Sequence, residues 1–250
     1  MSKLSSHILM LDYDGTLAPF QSDPALAIPY AGVRDRLRTA RDCSLGQIVI
    51  ISGRQAHEVK RLLRVEKIEI WGCHGVERLT ADGTRSVVGL DNQTKRSLSV
   101  VRHSLEAEGL IRFAESKPTG YAIHWRGLPP SEAKDVEVGA TKVWEGLEEK
   151  STLRKLNFDG GIELCANVMD KGDVVERIIS GLPQSHSVAY LGDDITDEDA
   201  FRALDGRGLG VLVRKTYRET AATAWLRPPE ELLAFLDRWI AARGGTYERT

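Results

Sequence analysis

Two aspartates flank a tyrosine in Asp12-Tyr13-Asp14-Gly15-Thr16, directly after the apolar run His7 to Leu11. A chain that turns sharply at Gly15 lets both carboxylates approach one centre. One can then attack as a nucleophile while the other transfers protons, the division of labour that covalent catalysis needs. A second cluster, Gly192-Asp193-Asp194-Ile195-Thr196-Asp197-Glu198-Asp199, puts five acids into seven positions after the run Val188 to Leu191. Such crowding repels itself unless a cation sits there, and hard carboxylate oxygens suit Mg²⁺ better than zinc. Asp193 is the expected metal ligand. Glu198 and Asp199 are expected to begin the next helix, where acidic side chains complement the dipole.

Three further segments carry usable groups. Ser52-Gly53-Arg54 follows the run Gln47 to Ile51 and is expected to open a helix. A hydroxyl and backbone N–H groups there suit a phosphate oxygen, although Ser52 serves equally well as an ordinary N-cap. Lys171, in Asp170-Lys171-Gly172, stands at a helix start where the dipole disfavours a cation. A phosphate or carboxylate partner would explain its place. His74, in Gly72-Cys73-His74-Gly75-Val76-Glu77, lacks a second histidine or a suitably spaced cysteine, so it is expected to shape a loop rather than hold a metal.

The elements that must position these groups follow from periodicity. His7 to Leu11, Gln47 to Ile51 and Ile68 to Trp71 read as buried strands. Between them, Val33, Leu37 and Ala40, then Val59, Leu62 and Leu63, mark helix stripes. After Asp170 the alternation resumes with helix Val174 to Ile179, strand Ser187 to Leu191, helix Glu198 to Leu204, strand Leu209 to Val213 and helix Pro229 to Ala242. Strands alternating with crossover helices predict a Rossmann-like parallel sheet, an α/β fold whose ligands bind at the carboxyl ends of the strands.

Residues 91–167 read differently, and divide the chain into a core of 1–90 plus 168–250 and an inserted α+β unit. A helix carrying Leu98, Val101 and Leu105 precedes strands Arg112 to Lys117 and Tyr121 to Arg126. A second helix, with Val136, Ala140, Val143 and Leu147, precedes strands Arg154 to Phe158 and Ile162 to Ala166, joined through Asp159-Gly160-Gly161. This helix–hairpin pattern, made twice, predicts an antiparallel sheet with two helices on its apolar side. Alternation puts Ala122, His124 and Arg126 on one face, and Glu115 with Lys117 on one face. Lys155 and Asn157 oppose Leu156 and Phe158, and Glu163 opposes Ile162 and Leu164. Phe113 breaks the pattern. The polar face is either simply wet or a ligand surface.

Composition narrows the classes. Lys and Arg total 34 against 36 Asp and Glu, a net charge of -2, which lacks the basic field of a nucleic-acid binder. No apolar run approaches the roughly 20 residues of a membrane span, and Met1 to Leu11 lacks the marks of a secretory signal. Cys43, Cys73 and Cys165 are odd in number and widely spaced, which predicts reduced thiols and a cytoplasmic protein.

In order, these motifs resemble those of the haloacid dehalogenase phosphohydrolase superfamily: Asp-x-Asp-x-Thr, a Ser or Thr, a Lys and an acidic pair. Leu11 to Pro19, Ser52-Gly53-Arg54, Gly72 to Glu77, Asp170-Lys171-Gly172 and Gly192 to Asp199 are similar to the trehalose-6-phosphate phosphatase family over nearly the whole chain. The resemblance implies Asp12 as a nucleophile forming an aspartyl-phosphate and Asp14 as the acid/base. It implies that Thr16, Ser52 and Lys171 hold the phosphoryl group. Mg²⁺ would lie between Asp12, the main-chain carbonyl of Asp14, and Asp193, with Asp194 and Asp197 in support. It makes the insert a cap, and Glu115, Lys117, Arg126 and Glu163 its sugar-binding set. One departure is Leu164-Cys165-Ala166-Asn167 after Glu163, where the family usually has a basic residue and a proline.

The activity so implied is hydrolysis of trehalose 6-phosphate by a monomer, with no nucleic acid and no membrane as partner. Phosphatases for sucrose, glucosylglycerol or mannosylglycerate phosphate share the same chemistry. A phosphomutase would return the phosphoryl group to a sugar, and a silent sugar-phosphate-binding module would have no need of the full acidic set.

Overall fold

His7–Leu11 is strand β1, and it runs through the middle of an eight-stranded sheet because its side chains are apolar on both faces. The computed structural model describes residues 7–21, 23–42, 46–147, 152–158 and 160–242. The remaining strands of this sheet are β2 (Gly46–Ile51), β3 (Glu69–Gly72), β4 (Glu77–Leu79), β5 (Arg85–Val87), β10 (Ser187–Gly192), β11 (Leu209–Val213) and β12 (Ala224–Leu226). Their order is β12-β11-β10-β1-β2-β3-β4-β5. The pairings from β12 to β3 are parallel, and β4 returns antiparallel to β3.

Register then aligns the strand ends. Leu11 pairs with Leu191 on one side and Ile50 on the other, so the loops beginning at Asp12, Ser52 and Asp193 emerge side by side. Two backbone bonds extend this alignment past the strands, Asp12 N–H to Leu191 O at 2.8 Å and Ser52 N–H to Trp71 O at 2.8 Å.

Helices cover both faces. α1 (Val33–Asp42), α2 (Ala56–Leu63) and α7 (Glu230–Ala241) bury Leu37, Leu62, Leu63, Leu236 and Ile240 against Leu9, Leu11, Ile48 and Ile50. Arg36 and Asp237 tie α1 to α7 through an ion pair at 2.7 Å. The opposite face carries Met10 and its partner Tyr190, and Phe201 of α6 (Glu198–Ala203) packs edge-on to Tyr190 at 5.6 Å. α5 (Lys171–Ser180) packs beside α6 and begins with a reciprocal capping box between Asp170 and Asp173.

One compact unit comprises the described residues up to Ser86 and from Asp170 onward, and the other is Val87–Met169. The seams thus fall at 86/87 and 169/170, a few residues outside the 91–167 expected from composition and periodicity.

The second unit holds α3 (Asn92–Ala107), α4 (Pro130–Glu145) and an antiparallel sheet of β6 (Ala114–Lys117), β7 (Gly120–His124), β9 (Gly161–Ala166) and β8 (Leu153–Phe158), in the order β6-β7-β9-β8. Val101, Leu105, Val136, Ala140 and Val143 of the helices close a core on Ile123, Ile162 and Leu164. Three expectations need correction here. Phe113 is not on a strand: Ile111–Phe113 forms a 3₁₀ turn, which frees Phe113 to join that core. Lys155 and Asn157 do oppose Leu156 and Phe158, but Leu156 pairs with Glu163, so the apolar pair shares the face of Glu163 instead of the side that the helices cover. Arg126 is beyond the end of β7, because Trp125 and Arg126 both donate to Gly160 O and the chain leaves the ladder there. Cys43 and Asp159 lie outside the described residues.

Candidate active site

Asp12 follows β1 directly, and its carboxylate is buried. Lys171 Nζ donates to Asp12 Oδ1 at 2.7 Å and to Asp197 Oδ1 at 2.7 Å. The cation at the start of α5 is therefore explained by two carboxylates that outweigh the helix dipole. Burial works against the ammonium, but Asp12 and Asp197 together hold Lys171 above the ordinary lysine range. Burial, then the neighbouring Asp197 and Asp14, push Asp12 upward against the pull of Lys171.

Asp197 is the brace of this cluster. Its Oδ1 also accepts from Tyr190 Oη at 2.5 Å, and its Oδ2 accepts the N–H groups of Asp193 and Asp194, each at 2.9 Å. Both oxygens are thereby used. Asp193 differs, because its Oδ1 is buried with no hydrogen-bond partner among the described residues. Its carboxyl is pushed well up by burial, then by Asp12, Asp197 and Asp194. Carboxylate oxygens of Asp12, Asp193 and Asp197 lie within 4.8 Å of one another. Hard donors, an unpartnered oxygen and mutual repulsion fit a divalent cation held by Asp12 and Asp193.

Gly15 makes the close approach of the two acidic loops possible. Its φ is +79°, and a Cβ there would fall 2.1 Å from Asp193 Oδ2. Thr16, next along, is fully buried with Oγ1 unpartnered among the described residues. Asp14 turns to Arg54, which grips it with both ends of its fork, Nε to Oδ2 at 2.6 Å and Nη2 to Oδ1 at 2.7 Å. Arg54 is itself fixed by donating to Pro24 O at 2.9 Å.

Ser52 is buried and accepts the Arg54 N–H at 3.2 Å. It is not an N-cap, contrary to one expectation, because α2 begins only at Ala56. The helix start is served instead by Glu77, whose Oε2 accepts the Ala56 N–H at 2.7 Å. His74 sits at φ +58°, and a Cβ on Gly53 would meet its ring at 2.8 Å. It shapes the loop, and belongs to no acidic cluster among the described residues. Glu198 does begin α6, but its carboxylate binds Arg218, Thr220 and the Ala221 N–H rather than merely facing the dipole.

In the second unit Lys117 Nζ meets Glu163 Oε2 at 2.5 Å, an ion pair whose side chains are 8% and 3% exposed. Glu115 Oε2 lies 3.3 Å from His124 Nε2. Register places Glu115, Lys117, His124, Glu163, Cys165 and Arg154 on one face, whereas Arg126 sits in the turn beyond it. Sequence reasoning missed the grip of Arg54 on Asp14 and the central place of Asp197. The opposite charges of Arg54 and Asp14, each just after one of two apolar strands, were the available signal for the first.

The parallel sheet with its inserted α+β unit shares its fold with a haloacid dehalogenase-like hydrolase from Bacteroides thetaiotaomicron, at a TM-score of 0.67 and 14% identity over 94% of this chain and 100% of that one. The C-terminal domain of C. albicans trehalose-6-phosphate phosphatase superposes with a TM-score of 0.78 at 21% identity, covering 95% of this chain and 92% of that one. The sequence pattern of the trehalose-phosphatase family matches residues 10–229, and the chain belongs to that family. Probable trehalose-phosphate phosphatase H of Arabidopsis thaliana is 27% identical over 95% of this chain and 74% of its own length. Trehalose-phosphate phosphatase of Mycobacterium tuberculosis is 31% identical over 92% of this chain, which spans 60% of that relative.

Proposed function

We propose that this protein hydrolyses trehalose 6-phosphate to trehalose and phosphate, with Asp12 as the nucleophile. Asp12 attacks phosphorus, the bond to the sugar oxygen breaks, and Asp14 supplies the proton to that oxygen. Water, deprotonated by Asp14, then releases phosphate from the aspartyl group. Lys171, Thr16 and Ser52 hold the phosphoryl oxygens, offsetting the repulsion between an anionic carboxylate and an anionic phosphate. Mg²⁺, held by Asp12, Asp193 and the Asp14 carbonyl, would supply Lewis-acid charge stabilisation when bound. Glu115, Lys117, Glu163 and Arg126 recognise the sugar.

One arrangement carries this reading: a buried carboxylate, Asp12, with Lys171 at 2.7 Å and the unpartnered Asp193 oxygen in the same acidic cluster. Arg54 orients the Asp14 carboxylate through a two-point grip, one arm of which must let go for Asp14 to carry and deliver a proton. A cytoplasmic monomer is the accompanying proposal. The buried thiols of Cys73 and Cys165 suit a reducing compartment.

The test is phosphate release from a panel of disaccharide and monosaccharide phosphates, with magnesium and with a chelator. Highest kcat/KM on trehalose 6-phosphate, lost on chelation and regained with magnesium, is expected. Faster release from sucrose or glucosylglycerol phosphate would reassign the substrate. Transfer to sugar without free phosphate would make the enzyme a mutase.

A further inference from the structure

Arg218 lies between β11 and β12, outside every motif named so far, yet its guanidinium reaches the acidic loop. Nη2 donates to Asp194 O at 2.7 Å, and Nε and Nη2 lie 3.4 and 3.5 Å from Asp193 O. Arg214 Nη1 approaches the same Asp193 carbonyl at 3.3 Å. Arg218 is anchored in turn, with Nη1 donating to Glu198 Oε1 at 2.5 Å and to Glu219 O at 2.9 Å. Glu198 is held in place by Thr220 Oγ1 at 2.8 Å and the Ala221 N–H at 2.7 Å.

The Asp193–Asp194 segment is therefore clamped from two sides. Its N–H groups are taken by Asp197 Oδ2, and its carbonyls face the Arg218 guanidinium. With both peptide edges engaged, the backbone cannot rotate without breaking charge-assisted hydrogen bonds. That leaves the Asp193 carboxylate directed toward Asp12, and ordered before any ligand arrives. The guanidinium also places positive charge behind carboxylates that otherwise repel one another.

We infer that Arg218 is a positioning residue of the cation site, fixing the Asp193 carboxylate and so setting the affinity for the divalent ion. This rests on the proposed reading of Asp12 and Asp193 as cation ligands. Outer residues that orient a ligand typically change metal affinity by about 10–100-fold when removed. Arg218→Met keeps much of the side-chain length and removes the fork. Arg218→Lys keeps the charge but cannot span Glu198 and both carbonyls at once.

Magnesium chloride alone is titrated against the wild-type protein and both variants, with the melting midpoint as readout of binding. Arg218→Met should weaken the apparent magnesium affinity by about 10–100-fold, Arg218→Lys by less, and saturating magnesium should restore much of kcat in both. A lower metal-free midpoint with an unchanged magnesium isotherm would overturn the inference and leave the cation ligands standing. A wild-type protein with no magnesium-dependent shift would overturn both. Should Arg218→Met fail to fold, Thr220→Val loosens the Glu198 anchor instead. A several-fold weaker isotherm supports the clamp, and an unchanged one refutes it.

Discussion

Asp14 and Arg54 show how a short motif gains meaning from its neighbour. Ser-Gly-Arg follows β2, Asp-x-Asp follows β1, and parallel pairing of these strands sets the arginine fork against the second aspartate. If Asp14 transfers protons, Asp14→Asn should lower kcat by about 10²–10⁴-fold while the melting midpoint changes little. A variant with near wild-type kcat would remove the acid/base assignment. Cys165 presents the contrasting case of an unreactive group. Burial, then Glu163, pushes its thiol up to about 11, against the pull of Arg154. At pH 8 the thiolate fraction is on the order of 10⁻³, so iodoacetamide should label Cys165 in urea and leave it unlabelled in the native protein. Native labelling at a comparable rate would contradict its burial.

The loops that follow β1 and β10 meet only because Gly15 has no side chain. Gly15→Ala adds a Cβ inside the Asp193 carboxylate at a left-handed φ, so two penalties combine. Loss of turnover together with weaker magnesium binding is expected, and an active variant with normal magnesium affinity would mean that the two loops need not touch. Much of this architecture was legible in the chain. β1, β2, β10 and β11 are apolar on both faces and therefore read as buried strands, with ends at or within a residue of those observed. β4, β5 and β12 are three-residue strands, too short to show a period, and were not anticipated. The place of Arg126 and the side of the sheet that Leu156 and Phe158 face differ from expectation, because alternation alone does not say where a ladder stops or which residues pair, and both are set by partner strands. The site's charged residues were visible as types and spacing. Their partners were not, since Lys171 meets Asp12 across 159 positions of sequence.

Two units divide the proposed labour. Carboxylates, lysine and hydroxyls for the phosphoryl group all belong to the parallel-sheet unit, and the candidate sugar-binding residues belong to the inserted one. The division has a kinetic signature. Lys117→Ala removes the partner of the buried Glu163 and should depress kcat/KM on trehalose 6-phosphate by far more than on a small aryl phosphate. Equal losses on both would assign Lys117 to folding rather than to recognition.

In the proposed reaction the Asp12 carboxylate itself carries the phosphoryl group between the two chemical steps. Acid-quenching the enzyme during turnover of trehalose 6-phosphate, reducing with borohydride and mapping the peptides by mass spectrometry tests it directly. An acyl phosphate is reduced to the alcohol, so homoserine should appear at position 12 in the wild-type protein and be absent in Asp12→Asn. Full turnover with unaltered aspartate at position 12, or reduction at Asp14 or Asp193 instead, would contradict the account.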